Sequence, residues 1–339
     1  MSLTGTREAS HAYSWYEGDP DTLSKQLDSF LADVPNSIND SSVPITGAKI
    51  IIAPHAGYSY SGPCAAWAYK CLDLSKAKRI FVLGPSHTYY LRGCALTTFA
   101  KYETPFGELT VDADVIQKLR DTGKFQDISR RNDVEEHSLE MHLPYLHKRI
   151  TQTRGGAASS SSSPADQPTI VPILVGDNSG PEEKAFGALL APYLADPEAA
   201  VVVSSDFCHW GARFGYTAYA PGGDTAGLQS LTRRSATPSD PPVHESIRLV
   251  DQEAMDAVAS GSHDAFVDNL RRTKNTVCGR HPIGVVMAAL EVLARDAGAG
   301  AGGADGERFR FKFVQYQRSS LVEDYSDSSV SYASAYAVV

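Results

Sequence analysis

Three apolar runs in this chain end abruptly in side chains that bind metals or move protons. IIAPHAGYSYSG (51–62) passes from isoleucines into Pro54 and His55, with Gly57 and Gly62 available for turning. FVLGPSHTYY (81–90) ends in Ser86 and His87, and VVVSSDFCHWG (201–211) ends in Asp206, Cys208 and His209. A fourth stretch, NTVCGRHPIG (275–284), sets Cys278 and His281 around a Gly-Arg pair and follows them with Pro282. Two imidazoles plus an anionic ligand suit iron, copper or zinc and leave positions open for substrate or oxygen. A Cys-His pair suits nucleophilic catalysis instead. Taken locally, Cys278 reads equally as a nucleophile, a metal ligand or a small residue in a loop ahead of a helix. A single His at a strand end is more often a hydrogen-bonded loop residue than a ligand. Several such ends meeting in one crevice are harder to explain by packing.

DVEEHSLEMHLPYLHKR (133–149) concentrates further titratable groups. At helical spacing His137 and Met141 share a face, as do Glu136 and Glu140. His142 falls five after His137, so the two are not a metalloprotease-type HExxH pair. The plain reading is a helix start in which Glu135 and Glu136 favour the N-terminal dipole. The functional reading gives His137, Glu140 and His142 supporting roles around the crevice, and His281 joins that supporting group. Cys64 and Cys71 read as the core face of one helix, and Cys208 as a small buried residue. His244 and His263 sit at polar helix starts and read as solvated. Arg280 is either an anion contact or a surface cation. No GxSxG elbow, GxxxxGK[ST] loop or strand-borne GxGxxG occurs, so the hydrolase, phosphoryl-transfer and dinucleotide templates lose ground.

The elements that must position these residues are legible as strands and helices in alternation. AKIIIAP (48–54), RIFVLGP (79–85), TIVPILVG (169–176) and AVVVSSD (200–206) read as buried strands. Helices are expected over 63–72, 112–120, 138–149, 181–194, 244–259, 263–272 and 282–295. Two closing strands are expected in FRFKFVQYQRSS and VSYASAYAVV. This order predicts an α/β fold, a single domain over 1–339 with a central, mainly parallel sheet flanked by helices. Ligands of such sheets lie beyond the carboxyl ends of the strands, where His55, His87, Asp206 and His209 fall. Ser- and Gly-rich segments at 153–168 and 296–308 read as mobile surface loops. A formal charge of −9 argues against a general nucleic-acid binder. No run of about 18 apolar residues supports a membrane span, and the polar N-terminus lacks a secretory signal's apolar core. Five cysteines, few and odd in number, fit a reducing compartment, the cytoplasm or nucleus, better than a disulfide framework.

In order, SHAYSWYEGD, PHAGYSYSGPCAAWAY, FVLGPSH, TPFGEL, VEEHSLEMHLPYL, VSSDFCHWG and TVCGRHPIG together resemble the Memo family, named for a mediator of cell motility. The resemblance spans nearly the whole chain and implies a fold like that of the class III extradiol dioxygenases, non-haem iron enzymes that open catechol rings. Carried over by position, it implies that His55 and His87 are metal ligands and that His209 is the acid/base. It implies that Asp206 orients His209 or approaches the metal. Cys278 stands where those enzymes carry a carboxylate ligand, which leans its reading toward the third metal-site residue. A thiolate is softer and more oxidisable than a carboxylate, which counts against ring opening. The family resemblance implies copper or iron binding with a role in redox and metal handling. In animal members it also implies binding of phosphotyrosine-type peptides, for which Trp15, Tyr16, Tyr58 and Arg280 would supply aromatic and cationic walls. The alternative to a metal-dependent oxidoreductase is therefore a binding module using the same crevice for a peptide or effector in signalling.

Overall fold

Runs of β-branched residues that are apolar on both faces must be covered on both sides, and that requirement builds this molecule. The computed structural model describes residues 2–154, 167–298 and 307–339. Its main sheet contains β1 (Ala48–Ala53), β2 (Arg79–Pro85), β3 (Cys94–Leu96), β4 (Phe125–Asp127), β5 (Thr169–Val175), β6 (Ala199–Ser204), β7 (His209–Trp210), β8 (Phe311–Arg318) and β9 (Ser329–Val338). The spatial order is β7-β9-β1-β6-β2-β5-β3-β4, with β8 pairing β9. Its heart, β1-β6-β2-β5, is parallel. The closing strands β8 and β9 run antiparallel to their neighbours, so the sheet is mixed. Ile50, Ile51, Ile52, Val82, Leu83, Val202 and Val203 are fully buried.

Helices cover both faces. α1 (Pro20–Ala32) starts on an Asp19 side chain that accepts from the Thr22 N–H, with Pro20 in its first turn. Leu23, Leu27 and Leu31, four apart, form its buried stripe, which packs with α2 (Tyr58–Cys71). α3 (Ala113–Asp121) follows an Asp112 cap. α7 (Gly180–Ala195) and α10 (Arg280–Asp296) pack tightly together, joined by α8 (Val243–Ala259) and α9 (His263–Thr273). Among the described residues no helix is long and apolar enough to cross a membrane.

The single-domain α/β architecture expected from the sequence is the one found, and two local expectations change. The helix expected over 138–149 is two pieces, α5 (His137–Glu140) and α6 (Leu143–Arg154), preceded by a separate short helix, α4 (Arg130–Glu135). Pro144 forces the break before α6, because it has no N–H for the Glu140 carbonyl and its ring would strike that carbonyl in a continuous helix. α2 begins at Tyr58, ahead of the expected Pro63, which lies inside the helix. The loops expected at 153–168 and 296–308 lie mostly outside the described residues.

Candidate metal centre

Parallel pairing alone brings three of the chemistry-bearing strand ends together. β1, β6 and β2 are consecutive neighbours, and Ser204 pairs opposite Ala53. The chain leaving β1 therefore reaches His55 beside the chain leaving β6 through Asp206, and His87 follows β2 on the far side. The fourth contributor is the loop between α9 and α10. Gly279 holds that loop against β6 so closely that a Cβ there would lie 2.3 Å from the Ser204 carbonyl oxygen. Gly279 donates its N–H to Ser205 Oγ (3.1 Å). The result sets Cys278 Sγ 3.3 Å from His55 Nε2. Donor atoms of His55, His87 and Cys278 all lie within 4.8 Å of one another.

Hydrogen bonds decide which ring nitrogens are free. Ser204 Oγ spends its one proton on the Ser138 carbonyl (2.7 Å), so toward His55 Nδ1 (2.6 Å) it can only accept. His55 is thereby protonated on Nδ1 and presents a bare Nε2 to the thiol. His87 Nδ1 lies 3.0 Å from Glu136 Oε1, a carboxylate that only accepts, so Nδ1 carries the proton of that bond and Nε2 is the nitrogen left for a ligand. Such partners fix the tautomer and aim of ligating imidazoles. His209 follows the same rule, with Nδ1 facing the carbonyls of Phe207 (2.9 Å) and Thr276 (3.2 Å).

Glu136 holds more than a ring. It also accepts from the N–H groups of His87 (2.7 Å), Thr88 (3.3 Å) and Ser138 (3.0 Å). Burial works against its charge, but His87 and His137 outweigh burial and hold the carboxyl at about 2. Burial and the surrounding imidazoles push His55 well below its usual range. Burial, with Asp206 adding to it, pushes the Cys278 thiol up. That is the reverse of an activated nucleophile, whose thiolate needs a lowered pKa. Asp206 Oδ1 accepts from the His55 backbone N–H (2.8 Å), and Oδ2 lies 4.0 Å from His55 Nε2. Of the two roles the resemblance implied for Asp206, this position beside His55 fits an approach to the metal-site donors, while the His209 Nδ1 faces carbonyls instead.

An N-terminal arm closes over this group. Its residues Thr6–Arg7 add to a hairpin of Lys101–Thr104 and Gly107–Thr110. Arg7, fully buried, donates to Glu140 Oε2 (2.6 Å), to Asp133 Oδ1 (3.2 Å), and to the carbonyls of Asp133 (2.9 Å), Val134 (3.1 Å) and Glu136 (2.7 Å). Glu140 further accepts from the His11 N–H (2.9 Å) and Tyr16 Oη (2.7 Å). So anchored, the arm sets Trp15 on His137, ring centroids 4.4 Å apart, and His137 stacks on His87 at 4.4 Å and 14°.

Several residues singled out from sequence stand elsewhere. His142 is buried with Nδ1 on Tyr69 Oη (2.7 Å) and makes no hydrogen bond to His55, His87 or Cys278. His281 binds Glu183 Oε1 (2.6 Å) and Asp177 Oδ1 (3.1 Å) rather than the metal-site residues. Tyr16 and Tyr58 lie beneath the arm, buried, with their hydroxyls spent on Glu140 and the Met141 carbonyl. Of the four residues named as a ligand wall, Trp15 and Arg280 are exposed. His263, expected in solvent, is fully buried with Nε2 2.6 Å from Glu183. Arg7, Ser204 and Glu136 were missed as organisers. Glu136 and Ser204 lie within recognised motifs, VEEHSLEMHLPYL and VSSDFCHWG, whereas nothing local marks Arg7.

The match to known proteins covers the same ground. A family model described as Memo-like protein matches residues 7–336. The chain belongs to this Memo-like family. Protein MEMO1 of Xenopus laevis is 41% identical over 333 residues, covering 98% of this chain and 97% of its own. Human protein MEMO1 is 39% identical over 327 residues, with 96% and 95% covered. The memo-1 homolog of Caenorhabditis elegans is 39% identical over 339 residues, with 98% and 84% covered. The match thus takes in the strand ends, the arm and the Cys278 loop of this Memo-like chain together.

Proposed function

We propose that this Memo-like protein binds a redox-active copper or iron ion through His55, His87 and Cys278 and serves in redox and metal handling. The observation that carries this reading is the donor set: two imidazoles whose Nδ1 atoms face protein acceptors, beside one thiol, within 4.8 Å. Thiolate with imidazole suits copper and iron better than the hard oxygen-loving ions. A bound ion of that kind would supply one-electron chemistry at the floor of the crevice. Around it, Ser204 and Glu136 keep both rings aimed, and Asp206 adds a carboxylate beside His55. His209, with Nδ1 on two carbonyls, has Nε2 left to take or give a proton. Five unpaired thiols support a reducing compartment such as the cytoplasm.

The test is elemental analysis of wild type and Cys278→Ala after anaerobic reconstitution with Fe(II) and, separately, Cu(I). The reading expects close to one ion per chain in wild type and a loss in the variant. Equal content in both, or none in wild type, overturns it. A second reading, a crevice that holds a peptide or effector, is favoured by the exposed indole of Trp15 above His137. It expects ligand affinity that survives metal removal and falls in Trp15→Ala.

A further inference from the structure

A cavity of about 390 Å³ opens between the starts of α7 and α10 and the end of α9, lined by none of His55, His87, Asp206 and Cys278. One wall is apolar: Phe266, Val267 and Leu270 of α9. Its rim is cationic: Arg271 and Lys274 at the end of α9, and Arg280 at the start of α10, all exposed. The anions nearby are largely spoken for. Glu183, the one carboxylate in the lining, is held between His263 Nε2 and His281 Nδ1 at 2.6 Å each. Asp268 pairs with Arg271 in an exposed contact worth little in water. Asp177 sits 3.8 Å from Arg280, beyond hydrogen-bond reach, while bonding His281. Lys274 has no ion pair among the described residues. It sits in the left-handed conformation (φ 55°) that ends α9. α10 adds a positive helix end here, with no side-chain cap and no acid in its first turn.

We propose that this cavity is a binding site for a small organic anion, a carboxylate or phosphate monoester on an apolar body. The apolar wall takes the body, and Lys274 with Arg280 takes the oxyanion as charge-assisted donors. The site is coupled to the metal centre through one short stretch of chain. Thr276 lines the cavity and its carbonyl and hydroxyl hold His209, while Cys278 lies two residues further on. An anion drawn onto Lys274 and Arg280 therefore bears on the segment that sets both His209 and Cys278.

The test uses metal-free full-length protein, so its outcome does not depend on whether the metal reading stands. Anilinonaphthalene sulfonate fluorescence reports occupancy, with displacement by octanoate, octyl phosphate and, as the uncharged control, octanol. Hydrogen exchange locates the site. The proposal expects octanoate or octyl phosphate to displace the dye and slow amide exchange across 270–281. It expects affinity to fall about tenfold or more in Lys274→Glu and in Arg280→Glu, and to weaken with salt. Whichever anion binds better identifies the head group. Displacement by octanol as good as by octanoate overturns the proposal. So does unchanged affinity in both variants, protection elsewhere in the chain, or no displacement by either anion. Leu270→Asn gives an independent check on the apolar wall and should weaken both anions while leaving the salt dependence in place.

Discussion

Replacing Arg7 by methionine tests whether the arm is held by a buried cation or only by packing. In the folded protein Arg7 sits between Asp133 and Glu140 with no solvent contact. Removing one partner of a buried pair costs about 3–5 kcal/mol, because the other charge stays buried. Here both acids keep other donors. Asp133 retains Thr97 Oγ1 (2.6 Å) and Tyr102 Oη (2.7 Å), and Glu140 retains His11 and Tyr16. That argues for the low end, about 3 kcal/mol, plus about 1 kcal/mol for carbonyls of the α4 end that lose their donor. Unfolding entropy of about 2.1 cal/mol/K per residue over 339 residues converts each kcal/mol into roughly 1.4 °C. Arg7→Met should therefore lower the midpoint of thermal unfolding by roughly 6 °C. Adding Glu140→Gln should recover part of the loss, since the stranded charge is then gone. Urea unfolding of the four proteins in that cycle measures both terms. A single variant within about 1 kcal/mol of wild type, or a double variant showing the full sum of the losses, refutes the buried-charge argument. Because Arg7 also holds the Glu136 carbonyl, the same variant should bind metal more weakly.

Three further changes probe the site from its supports. Glu136→Gln offers one acceptor oxygen where the carboxylate serves four N–H donors, so metal affinity should fall about 10–100-fold, read by competition with a chelator; unchanged affinity would deny that Glu136 aims His87. Gly279→Ala forces a methyl against the Ser204 carbonyl and should cost about 1–3 kcal/mol while displacing Cys278, seen as lost stability with lost metal; retention of both would mean the loop yields freely. For His263, burial pushes the imidazolium down, but Glu183 and Asp264 outweigh it and raise its pKa above 6.5. Its stabilisation is then full below pH 6.5 and is lost as pH rises through the raised value. The stability advantage of wild type over His263→Gln in urea should shrink from pH 6 to pH 9, and an advantage that grows with pH contradicts this sign.

How much of this was readable in advance depended on the range over which each signal acts. Strands such as AKIIIA and RIFVLGP declare themselves because burial on both faces leaves an unbroken apolar run. The strand ends then declare His55 and His87, since a polar side chain just past a buried strand has one crevice to enter. The short strands Cys94–Leu96 and Phe125–Asp127, at one side of the sheet, carry too few residues to show a period. Helix boundaries failed at 138–149 because the apolar spacing runs on through Met141 and Leu143 while the backbone obeys Pro144. His142 and His281 illustrate a different limit. Each is a histidine beside the right motif, and each is claimed by a partner remote in sequence, Tyr69 for one and Glu183 for the other.

Arg7 marks where reading by motif stops. Five of its six hydrogen bonds join TREASHAYSWY to the 133–140 segment, about 130 residues away, and no local spacing can encode such a pairing. Yet the pairing has a physical logic that the composition hints at. The run 133–140 holds Asp133, Glu135, Glu136 and Glu140 with no cation of its own. Three of those four carboxylates are buried. Buried charge of one sign requires a counter-charge from elsewhere, and a guanidinium, with five donors in a fixed fork, can serve two carboxylates and several carbonyls at once. Once Arg7 is drawn in, the arm must follow, and Trp15 comes to rest on His137. The covering of the candidate metal centre is thus a consequence of neutralising the segment that carries its supports. That ties the stability of the arm and the aim of His87 to one residue, which is why the Arg7 variant should move both together.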